Sequence, residues 1–244
     1  MNIFFISEKR CIHEKFRRII HNKAAKWLVH YYFSESDRES WKEFSGAGNN
    51  GMTAQPVCLR NKNDDFFKQY DLFFSWHCRQ IFPADLVENY RCINLHPSLN
   101  PYNRGWYPQV FCIYNGMPAG VTIHEMDAEI DRGHIICQLE VEKKLSDTAF
   151  ELYGRISSAE EKLVEDSIVS IVNGTYEKKE SGKGNINYRS DFEKLCEINL
   201  DKQATYREVI NYLRAMTFGD YHNAYFYDND GKKIWIKVHL EKEI

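Results

Sequence analysis

Residues 91–108, RCINLHPSLNPYNRGWYP, begin as an apolar run and then break into a loop rich in proline, asparagine and glycine. Successive side chains of a β-strand point to opposite faces, so Asn94 and His96 would share one face of the strand that ends here. The proline, asparagine and glycine that follow predict a loop directly after the strand. The segment therefore predicts an amide and an imidazole presented together at a strand end.

A carboxylate follows in residues 120–135, GVTIHEMDAEIDRGHI, where Asp131 sits between two strand-like runs. An amide, an imidazole and a carboxylate suit the transfer of an acyl group to an amine. An amide N–H or a protonated imidazole can stabilise the oxyanion that forms. A histidine can take or relay the proton of the amine, and a carboxylate holds the histidine tautomer. Taken singly, Asn-x-His is more often a cap and Asp-x-Gly a turn, so this prediction depends on the combination.

Segments around this stretch alternate between strand-like and helix-like patterns. NIFFI (2–6), KWLVHYYF (26–33) and DLFFSW (71–76) are typical of strands, whereas CIHEKFRRII (11–20), SDRESWKEF (36–44) and PADLVENY (83–90) are typical of helices. Such alternation predicts an α/β protein with a mostly parallel sheet. In sheets of this kind ligands bind beyond the carboxyl ends of the strands. The glycines of SGAGNNGMTAQP (45–56), a predicted loop, lack phosphate-loop spacing.

The second half of the chain predicts a covering helix and a small C-terminal module. WYPQVFCIYNG (106–116) is typical of a helix that ends at Gly116, and residues 147–172 form the longest helical pattern. The charged segment EKKESGKGNINYRS (177–190) resembles a linker. After it we expect a helix capped near Thr205 and a hairpin that turns at DNDG (228–231). The predicted division is a catalytic domain over residues 1–180 and a small module over residues 181–244.

Composition narrows the class of protein. The chain has 244 residues, of which 43% are hydrophobic, and a formal net charge of −3. That charge argues against a nucleic-acid substrate such as tRNA. Seven cysteines without a C-x-x-C motif predict reduced thiols in a cytoplasmic protein, with neither a disulfide framework nor a structural metal. The start MNIFFISEKR lacks the pattern of a signal peptide, and no apolar run is long enough to span a membrane.

The motif N-L-H-P-S-L-N-P-Y-N-R-G, followed by D-R-G, closely resembles the folate-dependent formyltransferases, whose pattern is Asn-x-His-x-Ser-Leu-x-Pro, then Arg-Gly, then Asp-x-Gly. The resemblance extends from Met1 to about Val172. It implies a formyltransferase-type, Rossmann-like fold and a catalytic triad of Asn94, His96 and Asp131. Pro97 and Asn100 depart from many relatives and bear on the substrate or the loop shape.

The run R-G-W-Y-P-Q-V-F (104–111) looks like one branch of that family, the N-formyltransferases of nucleotide-linked amino sugars. The resemblance implies N10-formyltetrahydrofolate as formyl donor and, as acceptor, the amine of a dTDP-linked amino-dideoxyhexose, most closely 4-amino-4,6-dideoxyglucose. The product would feed a surface polysaccharide such as the O-antigen of lipopolysaccharide. In that branch the C-terminal piece helps to form a homodimer.

The resemblance also implies ligand-binding residues. SWHCRQIFP (75–83) is similar to the family's folate segment, although the residues alone would favour an ordinary strand-to-helix turn. The cofactor candidates are Arg79, Gln80, Ile81, Phe82, Met126 and Asp127. The substrate candidates are His77, Arg104, Gly105, Trp106, Tyr107, Arg189, Tyr221 and Asn223, with Arg214 and Tyr225 as further possibilities. Trp106 is equally compatible with core packing, and His124 is expected to be a hydrogen-bonded core histidine.

Several alternatives remain open from the sequence. A formyltetrahydrofolate hydrolase could use the same triad, but such relatives carry an N-terminal regulatory domain, and here the first strand is predicted to begin at Asn2. A non-catalytic folate or sugar-nucleotide binding protein would not need the intact triad. A 3-amino or UDP-linked sugar is a possible acceptor. Glycinamide ribonucleotide predicts no C-terminal module, and methionyl-tRNA predicts a larger, basic one, so neither acceptor fits.

Overall fold

The computed structural model describes residues 1–23, 26–42 and 53–243. The strands are β1 (Asn2–Ile6), β2 (Leu28–Ser34), β3 (Gln55–Val57), β4 (Leu72–Trp76), β5 (Cys92–His96), β6 (Arg104–Gly105), β7 (Ala119–Glu125), β8 (Ile135–Val141), β9 (Ile186–Asn187), β10 (Ala224–Tyr227) and β11 (Lys233–Ile236). The helices are α1 (Arg10–Asn22), α2 (Arg38–Lys42), α3 (Asp64–Phe67), α4 (Ala84–Asn89), α5 (Pro108–Tyr114), α6 (Ala149–Asn173), α7 (Arg189–Cys196) and α8 (Tyr206–Met216).

The central element is a seven-stranded sheet with the order β3-β2-β1-β4-β5-β7-β8. The pairs β1–β2, β1–β4, β2–β3 and β4–β5 are parallel. Parallel neighbours need crossover connections, which the intervening helices supply. The predicted α/β class with a mostly parallel sheet is confirmed. Because these strands run the same way, their carboxyl ends meet at one edge of the sheet, where the polar residues after β4 and β5 lie.

The chain divides into two compact units. The first unit comprises Met1–His96, Ile123–Cys137 and Leu163–Glu180, and the second comprises Pro97–Thr122, Gln138–Lys162 and Ser181–Ile244. The two units interleave along the sequence, whereas the sequence predicted one boundary after residue 180. The functional division into a catalytic domain and a C-terminal module stays a prediction.

The core of the first unit is built from β1 and β4, whose residues are almost all buried. Neighbouring residues of β1 face opposite sides of the sheet. Phe4 stacks on Tyr32 with ring centroids 4.3 Å apart, and Phe5 stacks on Phe16 of α1 at 4.0 Å. Burying each such aromatic side chain contributes about 1.5–3 kcal/mol. Both faces of this strand are therefore covered, as the continuous apolar pattern NIFFI predicts.

The second unit contains the loop that follows the Asn-x-His strand. In it β6 pairs in parallel with β9, Arg104 opposite Ile186 and Gly105 opposite Asn187. The side-chain oxygen of Asn103 accepts hydrogen bonds from the amides of Asn115, at 2.7 Å, and Asn185, at 3.0 Å. The linker predicted over residues 177–190 therefore contributes a strand, because asparagine side chains and backbone together bind it to this loop.

The remaining elements follow the sequence closely. Thr205 caps α8, and its hydroxyl and main chain both bond with Glu208. The hairpin β10–β11 is confirmed. The helix predicted from residue 106 begins instead at Pro108, since Tyr107 has a left-handed backbone with φ of 51° and cannot continue a helix. The predicted loop over residues 45–56 lies mostly outside the described residues.

Candidate active site

Strand β5 presents the amide and the imidazole as the sequence predicts. Asn94 and His96 are separated by Leu95, which is buried on the opposite face. His96 is buried, with 6% of its surface exposed. Asn94 lies opposite Ser75 of β4 in the sheet. The two side chains thus stand at the carboxyl edge of the sheet, on a rigid element that holds their positions.

Asp131 joins them from the loop between β7 and β8. Its Oδ1 accepts a hydrogen bond of 3.0 Å from Nδ2 of Asn94, and its Oδ2 lies 3.5 Å from Nδ1 of His96. The backbone of Asp131 is left-handed, with φ of 50°, a conformation that costs energy for residues other than glycine and is tolerated best by asparagine and aspartate. One carboxylate therefore contacts both other members of the predicted triad.

His124 lies beside these three residues, a contact that the sequence did not predict. It is buried and hydrogen-bonded, as expected of a core histidine, but its Nε2 lies 3.3 Å from Nδ2 of Asn94 and 3.6 Å from Oδ1 of Asp131. The signal available in the sequence was its position near the end of the strand GVTIHE, which leads directly into the Asp131 loop. The neighbouring strands β5 and β7 bring His124 beside Asn94.

The ends of the Asp131 loop are pinned together. The N–H of Glu125 donates to the carbonyl of His134 at 2.9 Å, and the N–H of Met126 donates to the carbonyl of Cys92 at 2.8 Å. A Cβ added to Gly133 would overlap the carbonyl oxygen of Glu125. Glycine at position 133 lets the two sides of the loop approach this closely, and the approach sets where Asp131 points.

The segment after β4 holds four of the cofactor candidates, and two of their side chains have structural partners. Arg79 pairs with Asp37, Nη2 to Oδ1, at 2.7 Å. The amide of Gln80 donates to Oγ of Ser34 at 2.8 Å and accepts from the N–H of Leu59 at 2.9 Å. These side chains therefore shape the segment, and the main chain becomes its candidate recognition surface.

The main chain of Ile81 and Phe82 is available for recognition. Across residues 1–23, 26–42 and 53–243 no hydrogen-bond partner is found for the N–H or C=O of either residue. The Ile81 side chain is 62% exposed, and Phe82 packs against the core cluster of the first unit. Met126 also packs against that core, while Asp127 accepts a hydrogen bond from the N–H of Glu129 in its own turn. Free donors and acceptors in a row suit a flat, polar heterocycle.

Glu8 anchors the start of the same segment. Its carboxylate accepts hydrogen bonds from the N–H of Arg79 and the N–H of Ser34, each at 3.2 Å. Burial, supported by the neighbouring Asp37, raises the pKa of the Glu8 carboxyl. The segment between β4 and α4 is thus fixed at two points, by Glu8 at the N–H of Arg79 and by the side chain of Gln80.

The substrate candidates are divided between the units. His77 belongs to the first unit and has a left-handed backbone with φ of 58°. The other substrate candidates belong to the second unit. There Arg104 and Gly105 form β6, and Trp106 is 37% exposed, so it is not a core residue. The ring of Tyr107 packs 4.2 Å from that of Phe192, centroid to centroid.

The C-terminal candidates have different surroundings. Tyr221 is 68% exposed, whereas the amide of Asn223 donates to the carbonyl of Met216 at 3.0 Å. Arg189 pairs with Glu193 along α7 at 2.9 Å. The buried guanidinium of Arg214 donates to the carbonyls of Lys144, Leu145 and Asp147, which assigns it a structural contact. The ring of Tyr225 lies under the ammonium of Lys233, 3.7 Å from Nζ to the ring centroid.

In the part of the chain that the structure describes, no group of three or more His, Cys, Asp or Glu side chains could hold a metal ion. Among the same residues no helix has both the length and the hydrophobicity to cross a bilayer. All seven cysteines are free in the structure.

The chain matches two family models. The model described as "Formyl transferase" matches residues 60–168, and the "N-formyltransferase dimerization C-terminal domain" matches residues 191–242. The dTDP-4-amino-4,6-dideoxyglucose formyltransferase of Mycobacterium tuberculosis is 43% identical over 180 residues, which cover 73% of this chain and 77% of that protein. The resemblance predicted from the Asn-x-His and Asp-x-Gly motifs is confirmed.

Solved structures agree in fold. A 4-N formyltransferase from Francisella tularensis superposes with a TM-score of 0.91 at 41% identity, covering 99% of this chain and 98% of that one. A formyltransferase from Anoxybacillus kamchatkensis, solved with UDP-4,6-dideoxy-4-formamido-L-AltNAc and tetrahydrofolate, has a TM-score of 0.63 at 26% identity, covering 80% of this chain and 89% of that one. The chain belongs to the formyl transferase family and, within it, to the sugar N-formyltransferases.

Proposed function

We propose that this enzyme transfers the formyl group of N10-formyltetrahydrofolate to the 4-amine of a dTDP-linked 4-amino-4,6-dideoxyhexose, most closely the glucose isomer. The observation that carries the proposal is the contact of one carboxylate, Asp131, with both Asn94 and His96 at the carboxyl edge of the sheet. The 43% identity to a dTDP-4-amino-4,6-dideoxyglucose formyltransferase supports the acceptor. The product would enter synthesis of a surface polysaccharide such as an O-antigen, in the cytoplasm.

The segment over residues 79–82 fits the folate. The main chain of Ile81 and Phe82, which has no hydrogen-bond partner among the described residues, can pair with the donor and acceptor edge of a pterin. Met126 and Asp127 belong to the loop that we assign to its other side. Bound there, the folate supplies an activated formyl carbon. The tetrahydrofolate in the Anoxybacillus enzyme supports this choice of donor.

The three side chains of the proposed triad have different roles in the reaction. His96 takes or relays the proton that the amine loses as its nitrogen attacks, and the resulting imidazolium can stabilise the oxyanion on the formyl oxygen. As the bond between the formyl carbon and the donor nitrogen breaks, His96 can return this proton to the leaving nitrogen. Asp131, 3.5 Å from Nδ1 of His96, orients the ring and stabilises its charged form. Asn94 already donates to Asp131 through Nδ2. Its amide oxygen is then the atom that can accept a hydrogen bond from the incoming amine.

In the second unit, Arg104, Gly105, Trp106 and Tyr107 are proposed to contact the acceptor sugar or its nucleotide, and His77 is a separate candidate in the first unit. Arg104 offers a guanidinium for the pyrophosphate, and arginine binds such groups through paired hydrogen bonds. Arg189, Tyr221 and Asn223 are the further candidates for the nucleotide. The match of residues 191–242 to a dimerization domain supports a homodimer assembled through the C-terminal module.

The acceptor assignment predicts a position-specific rate. With saturating donor, kcat/KM on the dTDP-linked 4-amino sugar should exceed that on the 3-amino isomer by about 100-fold, because a displacement of about 1 Å from near-attack geometry costs that much. The UDP-linked 4-amino sugar tests whether the enzyme requires thymine as the base. dTDP-glucose, which has no amine to accept the formyl group, is the negative control. A higher kcat/KM on the 3-amino sugar overturns the C4 assignment, and full-rate formate release without any amine supports a hydrolase instead.

The side chains available as metal donors in the described residues predict indifference to chelators. Because the described residues contain no cluster with metal-ligand geometry, dialysis against EDTA should leave the formylation rate unchanged, and added Zn²⁺ should not raise it. The measurement is the rate of formyl transfer before and after dialysis, with metal content checked by mass spectrometry. A chelated enzyme that loses activity and regains it with zinc contradicts the assignment.

A further inference from the structure

His124 is buried beside the predicted triad and has a definite set of neighbours. Only 2% of its surface is exposed. Its Nε2 lies 3.3 Å from Nδ2 of Asn94 and 3.6 Å from Oδ1 of Asp131, and its Nδ1 lies 2.7 Å from the carbonyl oxygen of Glu125. Every one of these atoms belongs to the first unit. The ring therefore has a polar partner at each nitrogen.

Hydrogen-bond chemistry decides which nitrogen carries the proton. A carbonyl oxygen only accepts, so at 2.7 Å from the Glu125 carbonyl Nδ1 of His124 must be the donor. In the neutral ring Nε2 is then a lone-pair acceptor. The structure thus selects the Nδ1–H tautomer of His124.

The same reasoning orients the Asn94 amide. A carboxylate oxygen only accepts, so Nδ2 and not Oδ1 must face Asp131 at 3.0 Å. Nδ2 carries two hydrogens, and the second faces Nε2 of His124 at 3.3 Å. No hydrogen bond is found for Oδ1 of Asn94 within the described ranges.

We infer that His124 is a positioning residue that holds the Asn94 amide in one orientation by accepting its second hydrogen. A single anchor at Asp131 would leave the broad terminal torsion of Asn94 poorly defined, whereas two acceptors fix the amide plane. The amide oxygen is then the atom that Asn94 offers to the acceptor amine. The inference rests on the proposed function, since it assigns a role to Asn94 in formyl transfer.

Two variants separate the two ring nitrogens. In His124→Gln the amide oxygen can occupy the place of Nε2 and accept from Asn94, whereas in His124→Asn the shorter side chain reaches only the place of Nδ1. His124→Asn is expected to lower kcat by about 10- to 100-fold, the usual effect of removing a supporting contact. KM for donor and acceptor should change little, because His124 contacts Asn94 and Asp131 and is not among the residues proposed to bind either substrate. His124→Gln should keep most of the wild-type kcat. Equal losses in both variants, or a loss confined to KM, overturn the inference.

A double-mutant cycle tests whether the effect passes through Asn94. In an Asn94→Ala background, His124→Asn should produce no further loss of kcat, because the contact it serves is already gone. A full additional loss in that background shows that His124 acts independently and contradicts the inference. Melting temperatures of all four proteins report whether a variant is folded.

The tautomer gives a readout that needs no activity. In wild-type protein with ¹⁵N-labelled histidine, long-range ¹H–¹⁵N correlation should show a proton on Nδ1 and none on Nε2 of His124, with the signal assigned by its absence from His124→Gln. A neutral ring protonated on Nε2 overturns the inference. A wild-type protein that shows this tautomer but formylates no amino sugar would instead overturn the proposed function.

Discussion

Replacing His96 by alanine or Asp131 by asparagine is expected to lower kcat by about 10²- to 10⁴-fold, the range that a positioned acid–base group contributes. Asp131→Asn keeps the shape of the side chain and the left-handed backbone, so its effect isolates the loss of the carboxylate charge. The affinity for the nucleotide sugar should remain near normal, because the two side chains are proposed to act on the reacting atoms and not on the nucleotide.

The measurement is a steady-state comparison of kcat and KM for both substrates, with direct titration of the nucleotide sugar. His134→Ala is the matched control, since His134 lies at the end of the same loop but is exposed and bonds Glu180. That variant should retain wild-type kcat. Near-wild-type turnover in His96→Ala or in Asp131→Asn removes the proposed roles of these residues.

A methyl group at position 133 is expected to abolish most of the activity without touching a triad side chain. The added Cβ of Gly133→Ala overlaps the Glu125 carbonyl oxygen, so the loop must open where the Glu125 N–H bonds the His134 carbonyl. Overpacking of this kind costs about 1–3 kcal/mol of folding free energy. A displacement of Asp131 by about 1 Å costs about 100-fold in kcat.

Gly154→Ala is the control for this experiment. A Cβ at position 154 of α6 meets nothing within 4 Å, and alanine favours helix by up to about 1 kcal/mol over glycine, so stability should be kept or raised. Thermal melts and kcat are measured for both variants. If Gly133→Ala matches wild type in both, then the close approach at Glu125 does not position Asp131.

The fold was largely predictable because its signals are local. The continuous apolar runs NIFFI and LFFSW predict strands buried on both faces, and the structure buries them so. Spacing along one strand likewise predicts that Asn94 and His96 share a face. The proximity of Asp131 to these two residues is predicted by the resemblance and by the order of the motifs. In the structure Nδ2 of Asn94 lies 3.0 Å from Oδ1 of Asp131.

What sequence reasoning missed depends on contacts between distant segments. β9 forms in a charged, glycine-rich segment because it pairs with β6 about 80 residues earlier. The side chains of Arg79 and Gln80 bond Asp37, Ser34 and Leu59, partners that no local pattern reveals, while the role of this segment in binding the cofactor stays a prediction. The burial of His124 is predictable from its strand, but its contact with Asn94 is not.

The left-handed backbone at Asp131 also limits which substitutions natural variation can place there. At a φ of 50°, glycine and asparagine can replace aspartate at little cost in conformational energy. Alanine, glutamate and β-branched residues would raise the conformational energy of the backbone, in addition to removing the aspartate carboxylate from its place. A lineage that abandons catalysis but keeps the fold is therefore expected to drift to asparagine or glycine at this position. Such a protein could be recognised from the amino acid at this one position, even if the other residues at this edge of the sheet were unchanged.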